Sequence, residues 1–138
     1  MDPHWRHFEH KADIGLCGCG PTLASAFEQA ALALTAVVTE PQRVEAQRRI
    51  EIRCQAPDIE LLLYDWLNAV ILQMATRKWL FGHSQVAIDG LQLRATLWGE
   101  PVAAARHRPA VEPKGATLTA LSVEQLPDGW CARCVVDV

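Results

Sequence analysis

The segment from Pro57 to Met74 constrains the fold more than any other part of the chain. Its apolar residues recur at the spacing of a helix and cover an unusually broad arc: Leu62, Leu63, Trp66, Leu67, Ala69, Val70 and Met74. Asp58 stands where this helix would begin, and its side chain can cap the free backbone amides. A helix with so wide an apolar face is buried on most sides. The sequence therefore predicts a mostly buried helix, with Asp65 and Asn68 as its polar exceptions.

The other elements are predicted from alternating polarity, capping residues and turn residues. A first helix is expected to begin at Pro21-Thr22, with the Thr22 hydroxyl as its cap, and to end at Pro41. Glycine-containing turns indicate two hairpins further along the chain. The predicted strands are a strand at 49–54, a hairpin at 85–97 that turns at Asp89-Gly90, and a hairpin from 116 to the C-terminus that turns through Pro127-Asp128-Gly129.

The order of these elements is a strand, a helix, a strand, a helix and then four strands. Strands that follow one another through short turns favour an antiparallel or mixed sheet with helices on one side. We therefore predict an α+β fold, a two-layer sandwich of a mixed or antiparallel sheet with two main helices. A chain of 138 residues fits one domain, 1–138. Residues 101–113 are rich in Ala, Arg and Pro and are predicted to form a long connecting loop.

The charge of the chain argues against nucleic acid as a direct partner. Thirteen Lys and Arg residues against sixteen Asp and Glu residues give a net charge of −3. Sequence-independent nucleic-acid binding needs a basic surface instead. No apolar run approaches the roughly 20 residues that cross a bilayer, and the first residues lack the features of a signal peptide. We expect a cytoplasmic protein without membrane contact.

The five cysteines allow more than one interpretation. An odd number without a secretory signal predicts reduced thiols. Cys17-Gly-Cys19 and Cys131-Ala-Arg-Cys134 could instead form a four-thiolate zinc site. Residues three apart on a strand point to opposite faces, which makes it difficult for both cysteines of the second pair to reach one ion. Small apolar side chains packed within strands are the simpler interpretation.

Carboxylates near the two ends of the chain are the best candidates for a binding site. Asp13 precedes an apolar strand punctuated by glycines, and Asp137 lies beside the carboxylate of Val138 at the end of another strand. If these strands pair, the three carboxylates converge, and they would repel one another unless a cation lay between them. We therefore predict a divalent metal site of Asp13, Asp137 and the Val138 carboxylate for Ca²⁺, Mg²⁺ or Mn²⁺. The alternative is that Asp13 only forms a turn.

Three histidines near the N-terminus also invite a metal interpretation. His4, His7 and His10 recur at every third residue, but that spacing places them on different faces of a strand. We interpret them as solvated side chains at a mobile terminus, apart from His10, which lies beside acidic residues. No phosphate-binding glycine loop, nucleophile elbow or zinc-protease helix occurs in the sequence. The motifs therefore indicate no catalytic mechanism.

Several short motifs, taken in order along the chain, resemble the archease family. Residues 9–15, Glu-His-Lys-Ala-Asp-Ile-Gly, are similar to the family's His-Thr-Ala-Asp-(Val/Ile)-Gly signature. The first helix and the Leu-Leu-Leu-Tyr-Asp-Trp-Leu-Asn run at 61–68 also look like family motifs. Further motifs in the family's order are Gly99-Glu100, Arg106-His107, Glu112-Pro113-Lys114 and the closing Val136-Asp137-Val138. The resemblance extends from about Phe8 to the last residue.

The resemblance implies strand–helix–strand–strand modules, called SHS2-like, and the same divalent-metal site at Asp13, Asp137 and the Val138 carboxylate. It also implies a non-catalytic cofactor that stimulates guanylylation and multiple turnover of an RtcB-type RNA ligase in tRNA splicing or RNA repair. The ligase would be the protein partner, and RNA would be contacted only indirectly. Lys11 stands where the family has threonine beside Asp13, so we expect weak metal binding.

Two other functions remain open on the sequence. A small metal-dependent hydrolase could use the same carboxylates to cleave phosphoesters, although no base or nucleophile with a defined partner is recognisable. A general chaperone or binding module would present an exposed apolar patch to several partners. Phosphoester turnover by the isolated protein would favour the hydrolase, and capture of many partners would favour the binding module.

Overall fold

A computed structural model describes the whole chain, from Met1 to Val138, as three α-helices, one short 3-10 helix and eight strands. In chain order the elements are β1 His4–His10, β2 Asp13–Gly20, α1 Leu23–Val38, the 3-10 turn Pro41–Arg43, β3 Arg48–Gln55, α2 Ile59–Arg77, β4 Trp79–Asp89, β5 Gln92–Pro101, α3 Ala104–His107, β6 Gly115–Ala116, β7 Ser122–Leu126 and β8 Gly129–Asp137. None of the helices combines the length and apolar character needed to cross a membrane.

The strands form two sheets, and all of their pairings are antiparallel. The large sheet has the order β1-β2-β8-β6, with β7 also paired to β8. The small sheet has the order β3-β5-β4. The predicted α+β class is therefore confirmed, with the strands divided between two antiparallel sheets rather than collected in one.

Helix α1 begins where the sequence predicts. The Thr22 side chain accepts a hydrogen bond from the Ser25 backbone N–H, and the Ser25 hydroxyl in turn accepts from the Thr22 N–H. One side of the helix packs on the large sheet, and another lies along the free edge of β4. There the Thr35 hydroxyl donates to the Phe81 carbonyl, and the Glu28 carboxylate accepts from the Val86 N–H. The helix thereby satisfies backbone groups that an edge strand would otherwise expose.

Helix α2 is as buried as its apolar arc predicts. Asp58 caps it by accepting from the Leu61 N–H, which confirms the predicted start. Trp66 is completely buried, and its indole N–H donates to the Phe27 carbonyl of α1 at 3.0 Å. The polar exception Asn68 accepts from the backbone N–H of Ala116 in β6. The two helices and the large sheet are therefore joined by side-chain hydrogen bonds as well as by apolar packing.

Both predicted hairpins are present, with small differences in their turns. Strands β4 and β5 pair up to Asp89 and Gln92, so the two-residue loop is Gly90-Leu91 rather than Asp89-Gly90. Gly90 has φ +62°, a conformation that costs glycine little. In the C-terminal hairpin, β7 and β8 pair up to Leu126 and Gly129.

The prediction for the N-terminus was wrong. Residues 4–10 form β1, an ordered edge strand that pairs with β2 along its whole length. The prediction missed it because histidines interrupt its alternation. The segment 101–113 also contains the short helix α3, and the backbone N–H of Ala110 donates to the Val38 carbonyl, which ties the segment to α1.

Candidate functional site

One end of the large sheet brings together the acidic residues from the two ends of the chain. The strand β2 pairs with β8, and the last pair in their register is Ile14 with Val136. The next position along both strands places Asp13 opposite Asp137. On the other side of β2, His10 pairs with Asp13. Directly opposed residues in antiparallel strands project from the same face, so His10, Asp13 and Asp137 form one row, which we call the carboxylate row.

The last residue is held in place beside this row. Val138 is half-buried and packs against the hydrophobic core, so the terminal carboxylate leaves the sheet at a fixed position. Asp137 pairs with Gly115 in β6, and its carbonyl accepts from the Lys114 N–H at 2.8 Å. The end of the chain is therefore anchored on both sides by backbone pairing.

The turn that precedes Asp13 is conformationally strained and carries a cation. Lys11 lies in the two-residue loop between His10 and Asp13 and has φ 55°, in the left-handed region. A non-glycine residue there is uncommon and costs free energy. The ammonium of Lys11 is exposed beside the carboxylate row. None of the five salt bridges of the chain joins this ammonium to a carboxylate of the row.

Two buried polar atoms on this side of the large sheet have no hydrogen-bond partner, His10 Nδ1 and Arg133 Nε. The Arg133 guanidinium lies 4.7 Å from the centroid of the Phe8 ring, and that of Arg6 lies 6.0 Å from it. The Phe8 ring covers Gly15, where any added Cβ would clash with it. A cation–π cluster therefore covers the strands next to the carboxylate row.

The donor set of the carboxylate row fits a hard divalent cation. Asp13, Asp137 and the terminal carboxylate of Val138 offer only oxygen atoms, the ligands that Ca²⁺ and Mg²⁺ prefer, and His10 Nδ1 is a free donor in the same row. No group of three or more His, Cys, Asp and Glu side chains is arranged to hold a metal ion. The side chains of His10, Asp13 and Asp137 therefore do not form a metal site by themselves. The predicted site, which adds the main-chain carboxylate of Val138, stays a prediction.

The histidines lie on the paired strand β1 and not at a mobile end, contrary to the prediction, although His4 and His7 are exposed as it expected. His7 contacts the Ala33 carbonyl of α1 through Nε2 at 2.7 Å, and His4 contacts the Asp2 carbonyl through Nδ1 at 2.8 Å. Their strand positions place His7 on the face opposite to that of His4 and His10. The three histidines therefore do not converge on one metal.

The prediction that all cysteines are reduced was also wrong. Cys19 of β2 and Cys131 of β8 face each other and form a disulfide, with Cα atoms 4.2 Å apart. Cys134 pairs with Leu16 on the other face of the sheet, so these cysteines form no zinc site. Cys17 and Cys134 are buried, as expected for small apolar side chains, and burial raises the pKa of Cys134 to about 11.

A buried ionic cluster below the small sheet was not predicted as a site. Glu100 is almost completely buried and accepts hydrogen bonds from the Arg106 guanidinium, the Glu45 backbone N–H and His107 Nε2. Burial by itself raises the pKa of Glu100, but the hydrogen bonds from these three groups and the charge of Arg106 outweigh it and lower the pKa to about 2. His107 Nδ1 accepts from the Ala103 N–H, which leaves the proton on Nε2. The cluster anchors the segment after β5 and has no open position for a substrate.

An apolar groove of about 370 Å³ lies between the C-terminal ends of the two long helices and the segment 109–113. Val38, Ile71 and Met74 line one side, and Val102 and Val111 line the other. The last two side chains are exposed.

Comparison with known proteins connects these features to one family. The model of the Archease protein family matches residues 5–138. A protein archease from Pyrococcus furiosus is 38% identical over 139 aligned positions, which cover 97% of this chain and 98% of that protein. A protein archease from Sulfolobus acidocaldarius is 32% identical over 133 positions, which cover 95% and 96% of the two chains.

Solved structures show the same fold. A solution structure of a Methanobacterium thermoautotrophicum protein is similar with a TM-score of 0.82 and 29% identity, over 97% of this chain and 98% of that one. A crystal structure from Thermotoga maritima, described as an archease and possible chaperone, has a TM-score of 0.61 over 95% and 94% of the chains. Its identity of 20% supports the fold alone.

Proposed function

The chain belongs to the archease family, and from this premise we propose that it is a non-catalytic protein cofactor of an RtcB-type RNA ligase. In this proposal it stimulates guanylylation of the ligase and allows multiple turnover in tRNA splicing or RNA repair. It acts in the cytoplasm, and its direct partner is the ligase. The observation that carries the proposal is the carboxylate row, where residues from both ends of the chain meet at one exposed end of the large sheet.

The carboxylate row acts as a docking edge in this proposal. Asp13, Asp137 and the Val138 carboxylate would hold a divalent cation, which supplies positive charge and a fixed geometry when it is bound. The residues of the chain hold that edge rigid, because Val138 is anchored in the core and Asp137 is paired with β6. A rigid acidic edge can enter the ligase's active site and favour the arrangement in which its histidine attacks GTP.

Such an activator works only by binding one state of its partner more tightly than another. A hundredfold preference for the reactive state corresponds to about 2.7 kcal/mol. Few contacts with the ligase are enough to provide this difference. The activator itself therefore needs neither a nucleophile nor a general base.

The proposal is tested by single-turnover guanylylation of the cognate ligase with radiolabelled GTP and no RNA. We expect the wild-type protein to raise the rate, and Asp13→Asn and Asp137→Asn each to lower that stimulation by at least about tenfold, the effect of about 1.4 kcal/mol. Asp128→Asn is the matched control, because it removes an exposed aspartate at the opposite end of β8. Thermal unfolding of each variant confirms that the fold is intact.

Two results would contradict the proposal. If the folded wild-type protein left the rate of an active ligase unchanged, the cofactor role would be wrong. If both aspartate variants stimulated as well as wild type, the ligase would be activated through another surface. Phosphoester turnover by the isolated protein with Mg²⁺ or Mn²⁺, lost in the same variants, would support a metal-dependent hydrolase instead.

The apolar groove favours a second candidate, a chaperone or general binding module. Its lining residues Val102 and Val111 are exposed side chains on a segment held by the Glu100 cluster. Binding of apolar peptides, measured by fluorescence and abolished by Val111→Asp, would support this function. The same variant should leave guanylylation unchanged if the ligase-cofactor function is correct.

A further inference from the structure

The outer face of the small sheet carries an arrangement of charge and aromatic rings that the proposed function does not use. The face is made of the exposed positions of β3, β5 and β4, which lie opposite one another in three regular rows. The first row contains Arg49, Trp98 and His83; the second Glu51, Thr96 and Gln85; the third Arg53, Arg94 and Ala87. We call this surface the arginine face.

The arginines of this face form no salt bridge within the protein, and Glu51 is the one acidic side chain in the three rows. Arg53 is paired directly with Arg94 across β3 and β5. Like charges in this position destabilise a sheet. Neither of these side chains, nor Arg49, forms a salt bridge, although the chain forms five others. Two like charges held together without an internal partner indicate an anionic ligand from outside.

Acidic residues are scarce on this face. Of the sixteen Asp and Glu residues in the chain, the exposed positions of the three strands carry Glu51 in the middle row and Asp89 at the far end. Glu100, at the other end of β5, is buried and neutralised by Arg106. The net charge of −3 therefore describes the molecule as a whole and not this face.

Aromatic rings lie next to the arginines. Trp98 and His83 are paired across β5 and β4, and their ring centroids are 5.0 Å apart with an interplanar angle of 33°. His83 is exposed and Trp98 is half-buried. A depression of about 250 Å³ opens over the second and third rows, and its lining includes Glu51, Gln85, Thr96, Arg53 and Arg94. The face thus offers rings, cations and amide or hydroxyl groups within one open surface.

We propose that the arginine face binds a single strand of nucleic acid. Unstacked bases stack on aromatic side chains, and arginines contact the phosphates, as on other open sheets that bind single strands. A base would stack on the Trp98–His83 pair while the phosphates on either side meet Arg49 and the Arg53–Arg94 pair. The choice of RNA over DNA rests on the proposed function, in which the ligase's substrate is RNA. The proposal that this face binds a single strand does not depend on that function.

The test measures the fluorescence anisotropy of labelled single strands of about ten nucleotides, with full-length protein at several salt concentrations. We expect RNA to bind, and Arg53→Gln/Arg94→Gln to weaken binding at least tenfold. The slope of log affinity against log salt concentration should also become shallower by about 1.4 in this double variant, because each lost phosphate contact removes about 0.7 from that slope. His83→Ala should weaken binding several-fold without changing the slope, because stacking releases no counterions. Glu51→Gln should strengthen binding.

Matched controls separate this site from general charge effects. Lys78→Gln/Lys114→Gln removes two exposed cations that lie outside the arginine face, and it should leave binding within about twofold of wild type. Thermal unfolding should show Arg53→Gln/Arg94→Gln to be as stable as wild type or more stable, because a like-charge pair is removed. A structural role of these arginines would predict the opposite.

Three outcomes would overturn the inference. The first is the absence of RNA binding at low salt, and the second is equal binding by Arg53→Gln/Arg94→Gln. The third is equally tight binding of inorganic polyphosphate, which has no bases to stack. If the double variant instead loses affinity for the purified ligase without RNA, the face binds an acidic segment of that protein. Guanylylation of the ligase without RNA does not depend on the arginine face. Failure of the RNA-binding proposal can therefore be distinguished from failure of the proposed ligase-cofactor function.

Discussion

Glu100 shows how a single buried carboxylate can fix a long connection. It lies at the end of β5, and its hydrogen bonds reach the backbone before β3 and both polar side chains of α3. The segment that follows is held further by the Thr39 hydroxyl, which donates to the His107 carbonyl. A buried charge is tolerated only when it is paired and hydrogen-bonded in this way.

The lowered pKa of Glu100 predicts a specific acid sensitivity. Its pKa is about 2 in the folded protein and 4.5 as the ordinary value. The ionised Glu100 carboxylate therefore stabilises the folded protein fully above about pH 4.5, and this stabilisation is lost as the pH falls toward 2. Glu100→Gln should lower the free energy of unfolding at neutral pH by about 2 kcal/mol, the value of hydrogen bonds to a charged group. The difference from wild type should shrink across that acid range.

Urea unfolding at successive pH values checks this prediction. Glu124→Gln is the matched control, because Glu124 is exposed on β7 and forms no salt bridge. A Glu100→Gln variant whose stability falls with acid as steeply as that of wild type would contradict the account.

Lys11 gives a second prediction at the scale of one residue. Its φ of 55° suits asparagine better than lysine, and we expect its positive charge to oppose binding of a cation at the carboxylate row. Lys11→Asn should therefore keep or raise the melting temperature and increase the affinity for Ca²⁺ several-fold. Calorimetric titration measures the affinity. Unchanged Ca²⁺ affinity would show that the ammonium does not act on the site.

The terminal carboxylate of Val138 can be tested without changing any side chain. A few residues added after Val138 would replace this charge with a neutral amide, so Ca²⁺ affinity and ligase stimulation should both fall by at least about tenfold. The same extension placed before Met1 is the control. Full stimulation with the C-terminal extension would remove the Val138 carboxylate from the site.

At the scale of the elements, the helices and turns were predictable because their signals are local. Thr22 and Asp58 cap the two long helices as the sequence indicates, and a glycine occupies the β4–β5 turn. The α+β class follows from the order of these elements. The approach of Asp13 to Asp137 was predicted on the condition that their strands pair, and β2 and β8 do pair. Binding of metal there stays a prediction.

The features that escaped prediction depend on contacts between distant residues. Strand β1 is held by β2 and by the His7 contact with α1, neither of which is visible in its own sequence. Cys19 and Cys131 are 112 residues apart, and their opposition follows from the register of β2 with β8. The arginine face depends in the same way on the register of three strands.

The junction of the two long helices can be probed at Trp66. Replacement by Phe keeps most of the ring but leaves the Phe27 carbonyl without the indole N–H, and should cost about 1–2 kcal/mol. Replacement by Ala also leaves a cavity and should cost about 3–5 kcal/mol. Chemical unfolding measures both values. Equal stability of Trp66→Phe and wild type would show that the hydrogen bond contributes nothing.

For the whole molecule, the disulfide between Cys19 and Cys131 links the second strand to the last. Alkylation of the unfolded protein should label Cys17, Cys54 and Cys134 before reduction and all five cysteines after it. Closing a loop of 112 residues restricts the unfolded chain, so Cys19→Ser/Cys131→Ser should lower stability by about 2–5 kcal/mol. Five labelled thiols without reduction would show that the pair is reduced.

The position of β8 in the large sheet has a consequence for biosynthesis. It pairs with β2, β6 and β7, yet it follows every other element in the chain. While the ribosome is still synthesising β8, one edge of β2 has no partner and α1 covers an incomplete sheet. The β4–β5 hairpin, with its local contacts, can form before that point. The large sheet, with the carboxylate row at its end, can close only after β8 has emerged.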